Sequence, residues 1–259
     1  MNPSFDRDRE AVLDRAENAG VKTFIITGTC IKSSKEAANY ISELSKKNIT
    51  CKSTAGVHPH NAKDWDTAPA CLKELVIRNP ETIAAIGECG LDYNRNFSPQ
   101  DVQRKCFEEQ LKLAVQLGKP VFLHERDAFD DFYSILKKYR LDLPGAVVHC
   151  FTGTAIELEA YISLDCHIGI TGWICDERRG SHLIPLLQQI PANLLLLETD
   201  APYLLPRNLP KNLRNKSSRN EPVFLPHIAA FAAEILGKTN EQIAEETSAN
   251  AARLFVIKA

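Results

Sequence analysis

LLLLETD, residues 194–200, is a short apolar run that ends abruptly in two carboxylates, Glu198 and Asp200. Four other apolar runs also end at a side chain that can bind a metal ion, namely His58, Glu88, His124 and His149. Short runs that are apolar on both faces are typical of strands buried in a parallel sheet. The sequence therefore predicts a parallel sheet whose strands carry metal-binding groups at their carboxyl ends.

Seven such strands are expected, with helical patterns between them. They cover residues 23–27, 50–57, 82–87, 121–124, 146–149, 166–171 and 194–198. Strands alternating with helices predict an α/β fold, and a TIM-type (β/α)8 barrel needs eight strands. Here a helix-like segment, residues 5–19, precedes the first strand. We expect one domain, residues 1–259, that forms such a barrel with strand 1 missing and seven barrel strands present; an open sheet or an unrecognised strand is the alternative.

Capping patterns mark where several helices begin and end. Ser98-Pro99, followed by an apolar stretch and then Gly118, predicts an N-cap, a proline in the first turn and a glycine stop. Capping boxes are expected at Ser33-x-x-Glu36, Thr154-x-x-Glu157 and Thr239-x-x-Gln242. These patterns place helices between the expected strands.

Composition limits the classes of function. The net charge is −2, so any contact with nucleic acid must be a local patch. The eight cysteines include no C-x-x-C pair, which argues against a zinc knuckle. No apolar run approaches the ~18 residues that span a bilayer, and no signal peptide is recognised. We expect a cytoplasmic protein with no membrane partner, or a nuclear one if the source is eukaryotic.

The polar strand ends predict a metal site. In a parallel barrel the carboxyl ends of all strands lie on one face, so residues far apart in the sequence become neighbours. Each residue alone has an ordinary explanation: a histidine after a strand is more often a loop or core residue, and Asp200 could begin a turn. Several independent strands ending in this way favour a metal. Imidazole with carboxylate suits Zn, Mn or Fe, and a site richer in carboxylate and water also admits Mg.

A basic segment follows the last strand. Residues 207–220, RNLPKNLRNKSSRN, contain no acidic residue and five basic ones: Arg207, Lys211, Arg214, Lys216 and Arg219. In isolation a solvated loop is the simplest interpretation. Because the segment comes directly after a strand end, we expect it above the metal site, where basic side chains suit a phosphodiester backbone.

Six ordered motifs resemble the TatD family of metal-dependent nucleases, which have amidohydrolase-like barrels. They are IGECGLDYNRNFS (86–98), VFLHERDA (121–128), PGAVVHCFTGT (144–154), IGITGWICDERRG (168–180), ETDAPYLLPR (198–207) and SSRNEP (217–222). The similarity extends from about residue 6 to the C-terminus. It implies a metal-dependent deoxyribonuclease of the bacterial TatD-like subgroup: a monomeric 3′-5′ exonuclease on single-stranded DNA, with RNA as a second substrate.

The resemblance also implies roles for individual residues. Glu88, His124, His149 and Asp200 would be metal ligands, and Glu88 and Asp200 would be catalytic, with Asp200 near the attacking water. Glu198 would not bind the metal itself but would hold these ligands in position through hydrogen bonds. The substrate would contact His58, His60, Arg126, Arg207 and Arg219. The cofactor would be one or two divalent ions, with Mg first and Mn or Zn as alternatives.

One departure from the family and two rival functions remain. Many TatD proteins carry H-x-H on the first strand, and this sequence has no such segment, which leaves a second metal position open. Another metal-dependent hydrolase on the same barrel, cutting for example the ester of an aminoacyl-tRNA, would use the same ligands. A truncated, inactive barrel that only binds nucleic acid is the third hypothesis.

Overall fold

Seven strands form one parallel sheet in the order in which they occur in the sequence. The structure, a computed structural model, describes residues 1–44, 49–211, 213 and 218–257. The strands are β1 (Thr23–Ile26), β2 (Thr50–Ala55), β3 (Ile83–Asp92), β4 (Val121–Arg126), β5 (Ala146–Val148), β6 (His167–Ile170) and β7 (Leu195–Leu197). Every strand expected from the sequence is present, so the parallel α/β fold is confirmed.

Helices connect the strands and cover the outer face of the sheet. Those in the described ranges are α1 (Arg9–Asn18), α2 (Ile31–Glu43), α3 (Pro69–Arg78), α4 (Gln100–Leu117), α5 (Phe129–Tyr139), α6 (Ala155–Ser163), α7 (Leu183–Leu187), α8 (Leu225–Leu236) and α9 (Asn240–Leu254). α4 packs against β3, and its Phe107 stacks on Phe132 of α5 with 5.0 Å between ring centres. None of these helices is long and apolar enough to cross a bilayer.

The inner face of the sheet is closed at its amino end by α9. Side chains from four strands and from the end of α9 form one buried cluster: Ala84, Ala85, Phe122, Val147, Leu196, Leu254 and Phe255. The Asn250 amide of α9 donates to the carbonyls of Ala192 and Leu195, at 2.7 and 2.8 Å, and so fixes the helix to β7. The opposite, carboxyl end of the sheet is left for the polar residues.

A cavity, which we call the seam, separates the two edge strands. β1 and β7 end the described sheet on either side, and no ladder joins them. The seam has a volume of about 1080 Å³ and is lined by these strands and by α1, α8 and α9. It reaches Glu88, His149 and Asp200. The result is a curled barrel with seven strands and a gap in place of the eighth, as expected from the sequence.

Two of the three expected capping boxes are confirmed. Thr154 and Thr239 cap α6 and α9, and each accepts the amide three residues on. The box at Ser33 and Glu36 is wrong. α2 begins after Cys30, whose sulfur accepts the Ser33 amide while the Ser33 hydroxyl accepts the Cys30 amide. The reciprocal hydrogen bonds of a capping box therefore form one turn earlier, with the Cys30 thiol in place of the N-cap hydroxyl.

The expected ends of two other helices also needed correction. Pro99, and not Ser98, is the N-cap of α4, because the Ser98 hydroxyl donates to the His60 carbonyl instead. Gly118 ends α4 in the left-handed conformation, as expected. The segment 5–19 is helical only over Arg9–Asn18, since a short 3-10 turn, Pro3–Phe5, precedes it.

Candidate metal centre

Glu88 lies inside β3, which is longer and less regular than expected. The strand continues through Glu88 to Asp92, and its pairing with β4 shifts register on the way. Gly90 has φ 146°, and a Cβ there would lie 1.8 Å from the His124 carbonyl oxygen. Only glycine allows β3 and β4 to approach so closely. The expected end at Gly87 was wrong because two glycines interrupt the apolar pattern inside the strand.

Three imidazoles converge on a single oxygen of Glu88. The distances to Glu88 Oε1 are 3.4 Å from His58 Nε2, 2.9 Å from His124 Nδ1 and 3.4 Å from His149 Nε2. His58, Glu88 and His149 are buried, and His124 is nearly so. His58 and His149 follow β2 and β5, whereas Glu88 and His124 lie within β3 and β4. The contacts bring together four of the five strand-end groups that the sequence singled out.

Hydrogen bonds determine which nitrogen of each ring can face a metal. Glu198 Oε2 lies 2.9 Å from His149 Nδ1, so this nitrogen donates and Nε2 is the nitrogen that faces Glu88. His58 is the reverse case. Its Nδ1 accepts the His60 amide at 3.1 Å, so Nε2 carries the proton. His149 is therefore oriented as a ligand, whereas His58 is oriented as a donor.

The donor set fits a divalent cation. Ligands about 2.1 Å from one ion lie about 3.0–3.4 Å apart in octahedral or tetrahedral geometry. Glu88 Oε1 is 3.4 Å from His149 Nε2, at the upper end of this range, and 2.9 Å from His124 Nδ1, just below its lower end. His58, Glu88 and His124 each offer an atom within 4.8 Å of the others. His149 Nε2 lies 3.4 Å from the same Glu88 oxygen, so these four side chains are the candidate ligands.

The charges in this cluster are strongly coupled. Burial would raise the pKa of Glu88, but the neighbouring imidazoles of His58 and His149 and the hydrogen bonds from His124 and His149 hold it well below its usual range. Burial would lower the pKa of His149, but Glu198 and Glu88 raise it well above its usual range. Glu88 is thus a permanent carboxylate, which is the charge state that a metal ligand requires.

Asp200 lies beside this cluster on a constrained loop. Its backbone is left-handed, with φ 53°. Asn220 fixes the loop: its buried amide donates to the carbonyls of Thr199 and Tyr203, at 2.7 and 2.6 Å. Burial, together with repulsion from Glu88 and the other nearby carboxylate, raises the pKa of Asp200 to about 7 against the attraction of His149. Asp200 is therefore a carboxyl group that can exchange a proton near neutral pH.

Two residues of this site were missed from the sequence. Asp92 is 1% exposed, and its Oδ2 accepts His60 Nε2 at 2.7 Å and lies 3.6 Å from His124 Nε2. Asn220, which positions the Asp200 loop, is the second. Both lie inside quoted motifs, GLDY and SSRNEP, so an unexplained polar residue within a motif was the available signal. His60 is consequently held by Asp92 and does not join the imidazoles around Glu88.

The three arginines expected to contact the substrate differ in their exposure and in their ion-pair partners. Arg126 is exposed at the end of β4. Arg207 is exposed and lies 3.7 Å from Asp176. Arg219 is paired with Asp8 and Glu221, both at 2.7 Å, so its guanidinium ties the loop to the segment before α1. Arg214 and Lys216 lie outside the described residues.

Comparison with known proteins assigns the chain to a family. A family model described as TatD-related DNase matches residues 1–256. The chain belongs to this family. A TatD relative from Rahnella sp. (strain Y9602), named 3′-5′ ssDNA/RNA exonuclease TatD, is 51% identical over 256 residues, which cover 98% of this chain and 95% of the relative. A TatD protein of the same name from Shigella flexneri serotype 5b is 47% identical over 256 residues, with the same shares covered.

Solved structures place the TatD fold among related barrels. The TatD homologue YjjV from Escherichia coli K12 superposes with a TM-score of 0.87 at 28% identity and covers 99% of this chain and 95% of that one. A TatD-family hydrolase from Entamoeba histolytica has a TM-score of 0.86 at 27% identity, covering 97% and 90%. The phosphotriesterase homology protein of E. coli, at 14% identity and TM-score 0.69, covers 95% and 88% and shares the fold.

Proposed function

We propose that this chain is a divalent-cation-dependent exonuclease that digests single-stranded DNA from the 3′ end, with RNA as a second substrate. The observation that carries the proposal is the convergence of three imidazoles on Glu88 Oε1, in a chain that belongs to a DNase family. The relatives from Rahnella and Shigella bear this activity in their names. We further propose that the protein acts in the cytoplasm as a monomer of one domain.

Glu88, His124 and His149 would hold the cation, with Asp200 beside them. A divalent cation bound there would neutralise charge on the scissile phosphate and would lower the pKa of a water molecule. We propose Mg as the ion, in one or two positions. Imidazole nitrogens also suit Mn and Zn, so these ions are the alternatives.

Asp200 accepts the proton of the attacking water in this proposal. Its carboxylate lies beside Glu88 and His149, where it can reach a water molecule bound at the site. His58 donates a hydrogen bond from Nε2 to a phosphate oxygen, because its Nδ1 already accepts a hydrogen bond from the His60 amide. Glu198 keeps the His149 ring in place. Asp200, His58 and Glu198 thus have separate roles: proton transfer, phosphate binding and orientation of His149.

Arg126 supports a backbone-reading mode of substrate binding. It is exposed and lies two residues after His124 in β4, where a guanidinium suits a phosphate group. Arg207 lies further along the rim beside Asp176, and Arg219 acts on the loop that carries Asn220. Contacts of this kind recognise phosphates and not bases, so weak sequence preference is expected.

Digestion of a 5′-labelled oligonucleotide tests the proposal. Single-stranded DNA, RNA and a charged tRNA would be incubated in parallel after EDTA treatment, with Mg, Mn or Zn added back. We expect a ladder that shortens from the 3′ end with DNA and RNA, and no cleavage in EDTA. Immediate release of a labelled mononucleotide, cleavage in EDTA, or ester cleavage of the charged tRNA alone would contradict it.

Gly169 is expected to be essential for the placement of Glu198. A Cβ at this position would lie 1.8 Å from Glu198 Oε1, so Gly169→Ala should displace the carboxylate that holds His149. Loss of such an outer partner lowers metal affinity or activity about 10–100-fold. Steady-state kinetics and Mn titration would measure both. Gly237→Ala is the control for a glycine-to-alanine change away from the site: its added Cβ meets open space, and its φ of 64° makes its backbone more strained than that of Gly169→Ala.

A further inference from the structure

Phe97 is a large aromatic side chain that the fold leaves in solvent. It is 60% exposed and lies in the loop between β3 and α4, on the carboxyl face of the sheet. Single exposed apolar residues are common and alone indicate little. Phe97 differs because the surrounding loop is fixed and because its ring lies beside the metal centre.

The loop that carries Phe97 is anchored on both sides. Before it, Asp92 Oδ1 accepts the amides of Asn94 and Arg95, at 3.0 and 2.8 Å. After it, Ser98 is fully buried, and its hydroxyl accepts the Lys63 amide and donates to the His60 carbonyl, both in the 3-10 segment Pro59–Thr67. A rigid segment therefore presents an apolar ring to water, which is the arrangement of a preorganised binding residue.

Short contacts connect Phe97 to the metal centre. Its ring packs edge-to-face on His60, with 4.7 Å between centroids. His60 donates to Asp92 at 2.7 Å, and Asp92 lies 3.6 Å from His124, which contacts Glu88. Three side chains, those of His60, Asp92 and His124, thus link Phe97 to the Glu88 carboxylate.

Two exposed cations accompany the ring. Arg95 belongs to the same loop, and Arg126 pairs with Asp92 in the β3–β4 register. Within the described ranges neither guanidinium has a carboxylate partner in an ion pair. An aromatic face beside free positive charge is the combination with which proteins hold single-stranded nucleic acid, through base stacking and phosphate contacts.

We propose that Phe97 stacks on a base of the substrate next to the scissile phosphate, while Arg95 and Arg126 hold the adjoining backbone. The inference rests on the proposed nuclease function and assigns it a substrate-positioning residue. Stacking needs a π-face and tolerates any base, so Phe97 contributes affinity without sequence preference.

Binding and kinetics with abasic substrates test this role. Oligonucleotides with one abasic site at each of the last four 3′ positions would be compared with the intact strand, by anisotropy in EDTA and by kinetics with Mg. The proteins are wild type, Phe97→Ala, Phe97→Trp and Leu141→Ala. Leu141 is the matched control, because it is 97% exposed but follows α5 at the opposite end of the barrel.

We expect Phe97→Ala to raise Kd and KM about tenfold with little change in kcat, and Phe97→Trp to restore both. One abasic position should weaken wild type by a similar factor and leave Phe97→Ala unaffected, because the two changes remove the same contact. If every abasic position weakened binding by wild type and by Phe97→Ala equally, the stacking role of Phe97 would be overturned while the proposed nuclease function would stand. Absence of binding and digestion by wild type would overturn the proposed function, and this inference with it.

Discussion

Glu88→Ala is expected to abolish digestion of single-stranded DNA, with kcat/KM lower by at least about a thousandfold. The carboxylate oxygen on which His58, His124 and His149 converge is lost, and with it the permanent negative charge that a cation requires. Loss of the charge stabilisation that a metal supplies, on the order of 4 kcal/mol or more, corresponds to this factor. Kinetics on the 5′-labelled strand would measure the effect.

Metal binding separates loss of the ligand from loss of the fold. A divalent cation that binds only the folded wild type should raise its Tm, and this increase should vanish in Glu88→Ala while near-UV circular dichroism stays unchanged. Glu74→Ala, which removes a surface glutamate on α3 paired with Arg78, is the control and should behave as wild type. Wild-type cleavage by folded Glu88→Ala would show that the cation, if one is used, binds elsewhere.

Asp200→Asn is expected to inactivate the enzyme and to stabilise the metal-free protein at alkaline pH. Burial raises the pKa of Asp200 to about 7 from an ordinary 3.8, so the folded state binds this proton more tightly than the unfolded chain does. The corresponding stability is fully present below pH 3.8 and is lost as pH rises through 7. Ionised Asp200 is therefore a cost to the fold that asparagine, which is neutral and of similar shape, removes.

Urea unfolding after EDTA treatment would measure this cost. A shift of this size corresponds to about 4 kcal/mol at full burial, and partial exposure of Asp200 reduces it to about 2 kcal/mol. The gain from Asp200→Asn should be larger at pH 8 than at pH 5 by about 1 kcal/mol. Asp66→Asn, at an exposed aspartate, should show no such difference. A gain independent of pH would mean that the Asp200 carboxyl is not strained by ionisation.

Residues at regular strand ends could be predicted from the sequence. His124 and His149 follow apolar runs, and a parallel sheet places such ends on one face whatever the intervening loops do. Glu198 was identified in the same way, and the structure places it against His149. The number and order of the strands followed from the same alternation.

Residues fixed by long-range contacts could not be predicted. Asp92 lies beyond a bulge, and a bulge depends on the neighbouring strand rather than on local spacing. Asn220 bonds to carbonyls of the loop after β7, a contact with no sequence signature. The basic pattern around Arg219 indicated a nucleic-acid contact, whereas its guanidinium pairs with Asp8, 211 residues away. Side-chain pairing over such distances decides which charges remain for a ligand.

The order of the sheet also bears on how the protein is made. Every ladder among the described strands joins neighbours in sequence, and none closes β1 onto β7. A sheet with this connectivity can add one strand and helix at a time as the chain leaves the ribosome, because each strand after the first pairs with the strand before it. The candidate metal centre is completed later than most of the sheet. It draws on β2 to β5 and on Asp200 after β7, so chemistry becomes possible only when the last strand has docked.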